Sequence, residues 1–134
     1  MANKISIMII DDNRIDLFIH HELIKQMDIA NSVTEYAFAT EAILFLEKND
    51  IDNWPHLILL DIHMPIMTGF EFLERYAKLP LLCREKCQII VVSSSLDTGD
   101  KQKSKENPFV LELIEKPMNT LKLKEILISN RIIN

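Results

Sequence analysis

Asp11, Asp12, Asp61, Ser93, Ser94 and Lys116 have the types and spacing to do chemistry together. Each stands just after a short apolar run. Ile5 to Ile10 precedes the acidic pair, Leu57 to Leu60 precedes Asp61, Gln88 to Val92 precedes the serines, and Phe109 to Ile114 comes shortly before Lys116. Three carboxylates brought close repel one another and raise one another's pKa values. A divalent cation relieves that cost, and oxygen ligands of this kind suit Mg²⁺. Neither His nor Cys belongs to the set, which disfavours a softer metal. A metal-bound carboxylate can attack phosphorus and form an aspartyl phosphate. Phosphoryl transfer then asks the protein mainly for in-line positioning and for neutralisation of the charge on the transferred oxygens. The metal would meet one oxygen, Lys116 a second, and the Ser93 hydroxyl or a backbone N–H a third.

These residues share a site only if the strands before them are parallel neighbours. The unbroken apolar run Leu57 to Leu60 reads as a strand buried on both faces, as in a parallel sheet covered by helices. Between the apolar runs lie helical patterns, in the order βαβαβαβαβα, which implies a parallel sheet with right-handed crossovers and helices on both faces. In such a sheet every strand's carboxyl end lies on one edge, where open α/β folds place their ligands. The first helix is expected from Arg14 to about Met27, with Ile15, Phe18, Ile19, Leu23 and Met27 towards the core and Asp16, His20, Glu22 and Lys25 opposite. Val33 to Phe38 reads as the second strand, and Thr40 as the N-cap of a short second helix over Ala42, Ile43, Phe45 and Leu46. The third helix is expected over about Phe70 to Lys78, stopped by Pro80, and Leu81 to Lys86 is a connector. Leu96 to Asn107 is so polar that a short, poorly packed fourth helix is expected, with Lys101, Lys103 and Lys105 on a solvated face. Asn119 or Thr120 caps a last helix whose apolar face is Leu121, Leu123, Ile126, Leu127 and Ile132. Asp12 has a second reading as cap of the first helix. His20, His21 and His56 read as surface residues without chemistry.

The chain's 134 residues suit one domain over 1–134, with no output domain expected after the last helix. A net charge of −5 argues against a general nucleic-acid binder. No apolar run approaches the length that spans a bilayer, and the N-terminus carries no signal-peptide pattern, so a cytoplasmic location is expected. Cys83 and Cys87 read as free thiols in a reducing compartment, since two ligands do not make a zinc site. With only two glycines, the chain has no Gly-rich phosphate loop.

With these residues in view, the whole chain resembles a response-regulator receiver domain of two-component signalling. Asp11-Asp12 resembles the family's metal-binding acids. Asp61 followed by Met64-Pro65, Met67 and Gly69 resembles its phosphoacceptor and the downstream Met-Pro-x-Met-x-Gly pattern. Ser93 with Ser94 resembles the switch hydroxyl and its small neighbour, and Lys116-Pro117 the family's Lys-Pro with its usually cis bond. The resemblance implies a doubly wound (βα)5 flavodoxin-like three-layer sandwich with a five-stranded parallel sheet. It implies Mg²⁺ held by Asp11, Asp12, Asp61 and the backbone oxygen of His63. It also implies phosphoryl transfer to Asp61 from a histidine kinase or a histidine phosphotransfer protein. Ser93 would then move towards the phosphoryl group, changing the face formed by helix four, strand five and helix five. That face would bind an unknown downstream protein, and receivers of this kind can pair through it as homodimers. The chain departs from the family at Leu113, where the switch aromatic usually stands, and at Asn107-Pro108, where a Gly-Ala pair is usual.

Two functions from this reading compete: an effector that signals by partner binding, and a phosphate relay or sink between histidine proteins. A Mg²⁺-dependent phosphohydrolase with an aspartyl nucleophile is the rival from another class. Such enzymes place a second acid two residues after the nucleophile as general acid, and His63 stands there. No turnover of a small substrate is expected.

Overall fold

The structure, a computed structural model, describes residues 4–48, 50–94 and 96–134. Five strands run in parallel in the order β2-β1-β3-β4-β5. They are β1 (Ile5–Ile10), β2 (Ala30–Tyr36), β3 (Leu57–Leu60), β4 (Gln88–Ser93) and β5 (Val110–Glu115). The helices are α1 (Arg14–Met27), α2 (Ala39–Glu47), α3 (Gly69–Tyr76), α4 (Leu81–Lys86), α5 (Thr98–Glu106) and α6 (Thr120–Ser129), with one 3-10 turn at Ile51–Asn53. The expected doubly wound sandwich is therefore present.

Strand side chains alternate between two cores, as the two-residue period of a strand requires. Met8, Ile10, Ile58, Leu60 and Ile89 join Ala42, Ile43, Leu46, Phe72, Leu73 and Tyr76 of α2 and α3 on one face. Ile7, Ile9, Leu57, Leu59, Ile90 and Val92 join Leu17, Ile24, Leu123 and Leu127 of α1 and α6 on the other. β3 is buried at all four positions, which explains why its sequence is an apolar run without alternation.

Several elements differ from expectation. The buried face of α1 is Leu17, His20 and Ile24, while Ile15, Phe18 and Ile19 are 71%, 67% and 44% exposed. Leu23 and Met27 are partly buried against the core, as expected. Helix α1 carries apolar residues on nearly every side, interleaved with polar ones, so two stripes at spacings of three and four compete. The one containing His20 faces the sheet. β2 lies earlier than expected, over Ala30–Tyr36, and Phe38 rather than Thr40 occupies the N-cap of α2, without a side-chain cap bond. Leu81–Lys86 is a short helix, α4, so the expected fourth and fifth helices are α5 and α6.

The polar helix α5 is well formed for a local reason. Asp97 accepts from the Asp100 amide at 2.7 Å, and Asp100 reaches back to the Asp97 amide, a reciprocal capping box. Lys101 pairs with Glu115 of β5 at 3.0 Å, and Lys103 sits 5.2 Å from the centre of the Phe70 ring. Two of the three lysines read as a solvated face thus have partners within the chain. In α6, Asn119 is the cap, and Leu121 is exposed rather than buried. Both cysteines are free and buried, and burial pushes the Cys87 thiol up to about 12. Among the described residues, no helix is long and apolar enough to cross a membrane.

Candidate functional site

Strand register brings the chemical residues together. Ile10 pairs with Leu60, and the Asp61 amide donates to the Ile10 carbonyl at 3.0 Å. Asp11 and Asp61, the next residues on two neighbouring strands, therefore emerge side by side. Leu60 pairs with Val91, which carries Ser93 two residues beyond, and the Lys116 amide donates to the Ser93 carbonyl at 3.0 Å. The order β1-β3-β4-β5 thus sets Asp11, Asp61, Ser93 and Lys116 along one rim of the sheet.

Ligand atoms of Asp11, Asp12 and Asp61 all lie within 4.8 Å of one another. Asp11 and Asp61 are buried, and Asp12 is exposed. An oxygen set of two buried carboxylates and one open to water fits a hard divalent cation that keeps part of its hydration shell. Asp12 is free for that role because Asn13 caps α1, its side-chain oxygen accepting from the Ile15 and Asp16 amides at 3.0 and 3.1 Å. Burial drives the Asp11 carboxyl up to about 6, against the lowering effect of its hydrogen bond with Lys116. A carboxylate this costly to ionise in the bare site gains much from a cation.

Among the described residues, three hydrogen bonds reach the Asp61 carboxylate. Ser93 Oγ donates to Oδ1 at 2.8 Å, the His63 amide donates to Oδ1 at 3.3 Å, and Lys116 Nζ donates to Oδ2 at 3.4 Å. The Lys116 ammonium also donates to Asp11 at 2.6 Å and to Asp16 at 2.8 Å. Burial alone would lower the Lys116 pKa, but the bonds to Asp11 and Asp16 outweigh it and hold the pKa above its ordinary value. Lys116 is a fixed cation at the rim. The Lys116–Pro117 bond is cis, the form the resemblance implied, and Pro117 is exposed.

The loop after Asp61 is held by close packing. Gly69 N–H donates to the Ile62 carbonyl at 2.8 Å, and a Cβ on Gly69 would lie 2.7 Å from the Asp61 carbonyl oxygen and 2.8 Å from Ile62 Cα. Only glycine fits there, which accounts for one of the chain's two glycines. Thr68 and Glu71 form a capping box that starts α3. Ile66, 80% exposed, has a φ of 70°, a left-handed conformation that a β-branched residue tolerates badly. The His63 side chain leaves the loop and bonds Asp100 of α5 at 2.9 Å.

Two residues of the site were not singled out from sequence. Asp16, read as part of a polar helix face, bonds Lys116 from the first turn of α1. His20, one turn further, is buried, and burial followed by the nearby Lys116 charge lowers its pKa. An acid in a helix's first turn ordinarily interacts with the helix dipole, and nothing in sequence spacing tells the two roles apart. Ser94 is exposed beside Ser93. Leu113 is half-buried on β5 and lines a cavity of about 180 Å³ with Ser104, Lys105, Val110, Leu111 and Glu112.

The chain matches the response regulator receiver domain model over residues 7–128 and belongs to that family. A solved response regulator receiver protein from Dyadobacter fermentans is 32% identical, with a TM-score of 0.85 over 92% of this chain and 95% of that one. Two-component response regulator 24 of Arabidopsis thaliana is 27% identical over 93% of this chain and 83% of its own length. A protein-glutamate methylesterase/protein-glutamine glutaminase of Pseudomonas savastanoi is 28% identical over 89% of this chain, but the match covers only 31% of that protein. The present chain therefore spans about a third of the methylesterase relative. It is a receiver domain of the two-component response regulators.

Proposed function

We propose that this receiver domain takes a phosphoryl group onto Asp61 from the phosphohistidine of a histidine kinase or histidine phosphotransfer protein. The observation that carries this reading is the meeting of three acids within 4.8 Å with a committed ammonium and a buried hydroxyl. An Asp61 carboxylate oxygen attacks phosphorus, the new P–O bond forms as the P–N bond breaks, and the donor imidazole leaves with the nitrogen lone pair. Asp11, Asp12, Asp61 and the His63 carbonyl would hold Mg²⁺, which when bound neutralises charge on the transferred oxygens. Lys116 supplies a second positive charge, and Ser93 stands ready to turn its hydroxyl from the carboxylate to a phosphoryl oxygen. Phosphoryl transfer requires little more than these parts.

The donor protein would dock on α1. Ile15, Phe18 and Ile19 are exposed there, and the same helix places Asp16 on Lys116 beside the acids. The signal would leave through the face formed by α5, β5 and α6, where a downstream protein or a second copy would bind. His63, bonded to Asp100, links that face to the loop after Asp61, and Lys101 paired with Glu115 ties α5 to β5 within the face. Incubation with phosphoramidate and Mg²⁺ tests the reading. One phosphoryl group should be gained in the wild type and none in Asp61→Asn.

A further inference from the structure

The Lys116 ammonium has three protons and three carboxylates around it. Its bonds to Asp11 and Asp16 are short, 2.6 and 2.8 Å, and that to Asp61 is long, 3.4 Å. A phosphoryl group on Asp61 would bring a dianion next to this ammonium. The third proton faces Asp61 only at 3.4 Å, so drawing the ammonium in onto the phosphoryl group lengthens one of its two short bonds.

The two partners differ in what release would cost. The Asp11 side chain is 3% exposed and that of Asp16 27%. At the depth of Asp11 a carboxylate has no water to turn to and, as a member of the expected cation set, it stays fixed in the site beside the ammonium. Asp16, at the outer edge of the site, can return to water. Of the three carboxylates bonded to the ammonium, Asp16 is also the one outside the expected cation set of Asp11, Asp12 and Asp61.

We propose that Asp16 is a positioning residue that parks Lys116 in the unphosphorylated protein and is the partner released when a phosphoryl group arrives. This inference rests on the reading of Asp61 as phosphoacceptor. Asp16 thereby competes with the phosphoryl group for the same ammonium and favours the resting state. Removing its charge makes the phosphoryl-bound state easier to reach, an effect that mere structural damage would not produce.

Beryllofluoride, which bonds a carboxylate oxygen and resembles a phosphoryl group, is the probe, used with Mg²⁺ on the intact chain. Asp16→Asn should bind it about fivefold more tightly than the wild type, the scale of a partly exposed ion pair. In a crystal structure of the wild-type adduct, Lys116 Nζ should contact fluorine and lie beyond hydrogen-bond reach of Asp16. Unchanged or weaker binding by Asp16→Asn would overturn the proposal. So would an adduct in which Nζ remains on Asp16, an observation that needs no variant to fold. Failure of the wild type to bind beryllofluoride would instead overturn the phosphoacceptor reading itself.

Discussion

Ser93 Oγ donates to Asp61 Oδ1 at 2.8 Å, the shortest hydrogen bond that this carboxylate receives among the described residues. The hydroxyl at the end of β4 thus holds the acid at the end of β3. Ser93→Ala should leave Asp61 with two long bonds and cost about 1 kcal/mol of stability, the usual net worth of such a bond. Urea unfolding of the two proteins measures this. The same variant should still take up a phosphoryl group, more slowly, because Lys116 and the acids remain.

Gly69→Ala should be more damaging than its size suggests. The added carbon would meet backbone atoms of Asp61 and Ile62 at 2.7 and 2.8 Å, and neither can rotate away as a side chain could. A loss of about 2 kcal/mol is expected from overpacking, read by urea unfolding. Mg²⁺ affinity should fall with it, because the displaced segment carries Asp61.

Ile66 offers the opposite effect. Its φ of 70° costs a β-branched residue energy that asparagine largely avoids. Being 80% exposed, it has little packing to lose. Ile66→Asn should raise stability by about 1 kcal/mol, again visible in the urea midpoint.

The Asp11 carboxyl sets a pH dependence whose sign is unusual for an acid in an ion pair. Its pKa rises from 3.8 to about 6 on folding, chiefly through burial. Between those values the folded chain holds the proton more tightly than the unfolded chain does. Its contribution to stability is therefore present at low pH and lost as pH rises through about 6. In Mg²⁺-free buffer at neutral pH, Asp11→Asn should melt at a higher temperature than the wild type. The difference should shrink as the pH falls below 6, and saturating Mg²⁺ should stabilise the wild type more than the variant.

Docking on α1 can be separated from chemistry at Asp61. Phe18→Ser and Ile19→Ser alter residues 67% and 44% exposed, so the fold should tolerate them. Transfer from the cognate phosphohistidine protein should slow by about tenfold or more, the effect of losing interface anchors. Modification by phosphoramidate should keep its wild-type rate. Equal slowing with both donors would remove α1 as the docking face.

Much of this architecture was legible because the strands end abruptly. β1 and β3 lie where their apolar runs lie, each closed by an aspartate, and the βα alternation implied the parallel sheet that aligns those ends. Helices were harder. Helix α1 has apolar residues on nearly every side, so spacing could not decide between the Leu17–Ile24 stripe and the Ile15–Ile19 stripe. Packing against the sheet decided it and buried His20. Helix α5 lacked an apolar stripe, and its order comes from the Asp97–Asp100 capping box and from contacts to Phe70 and Glu115. Asp16 was invisible as a site residue because its partner lies 100 positions away on another strand end.

The central claim is that Asp61 is a metal-assisted phosphoryl acceptor. Mass measurement of the intact chain after incubation with phosphoramidate, with and without Mg²⁺, tests it most directly. The expected result is a Mg²⁺-dependent gain of one phosphoryl group, lost in Asp61→Asn and strongly reduced in Lys116→Ala. An unmodified wild-type chain, or a modification that persists in Asp61→Asn, would contradict it.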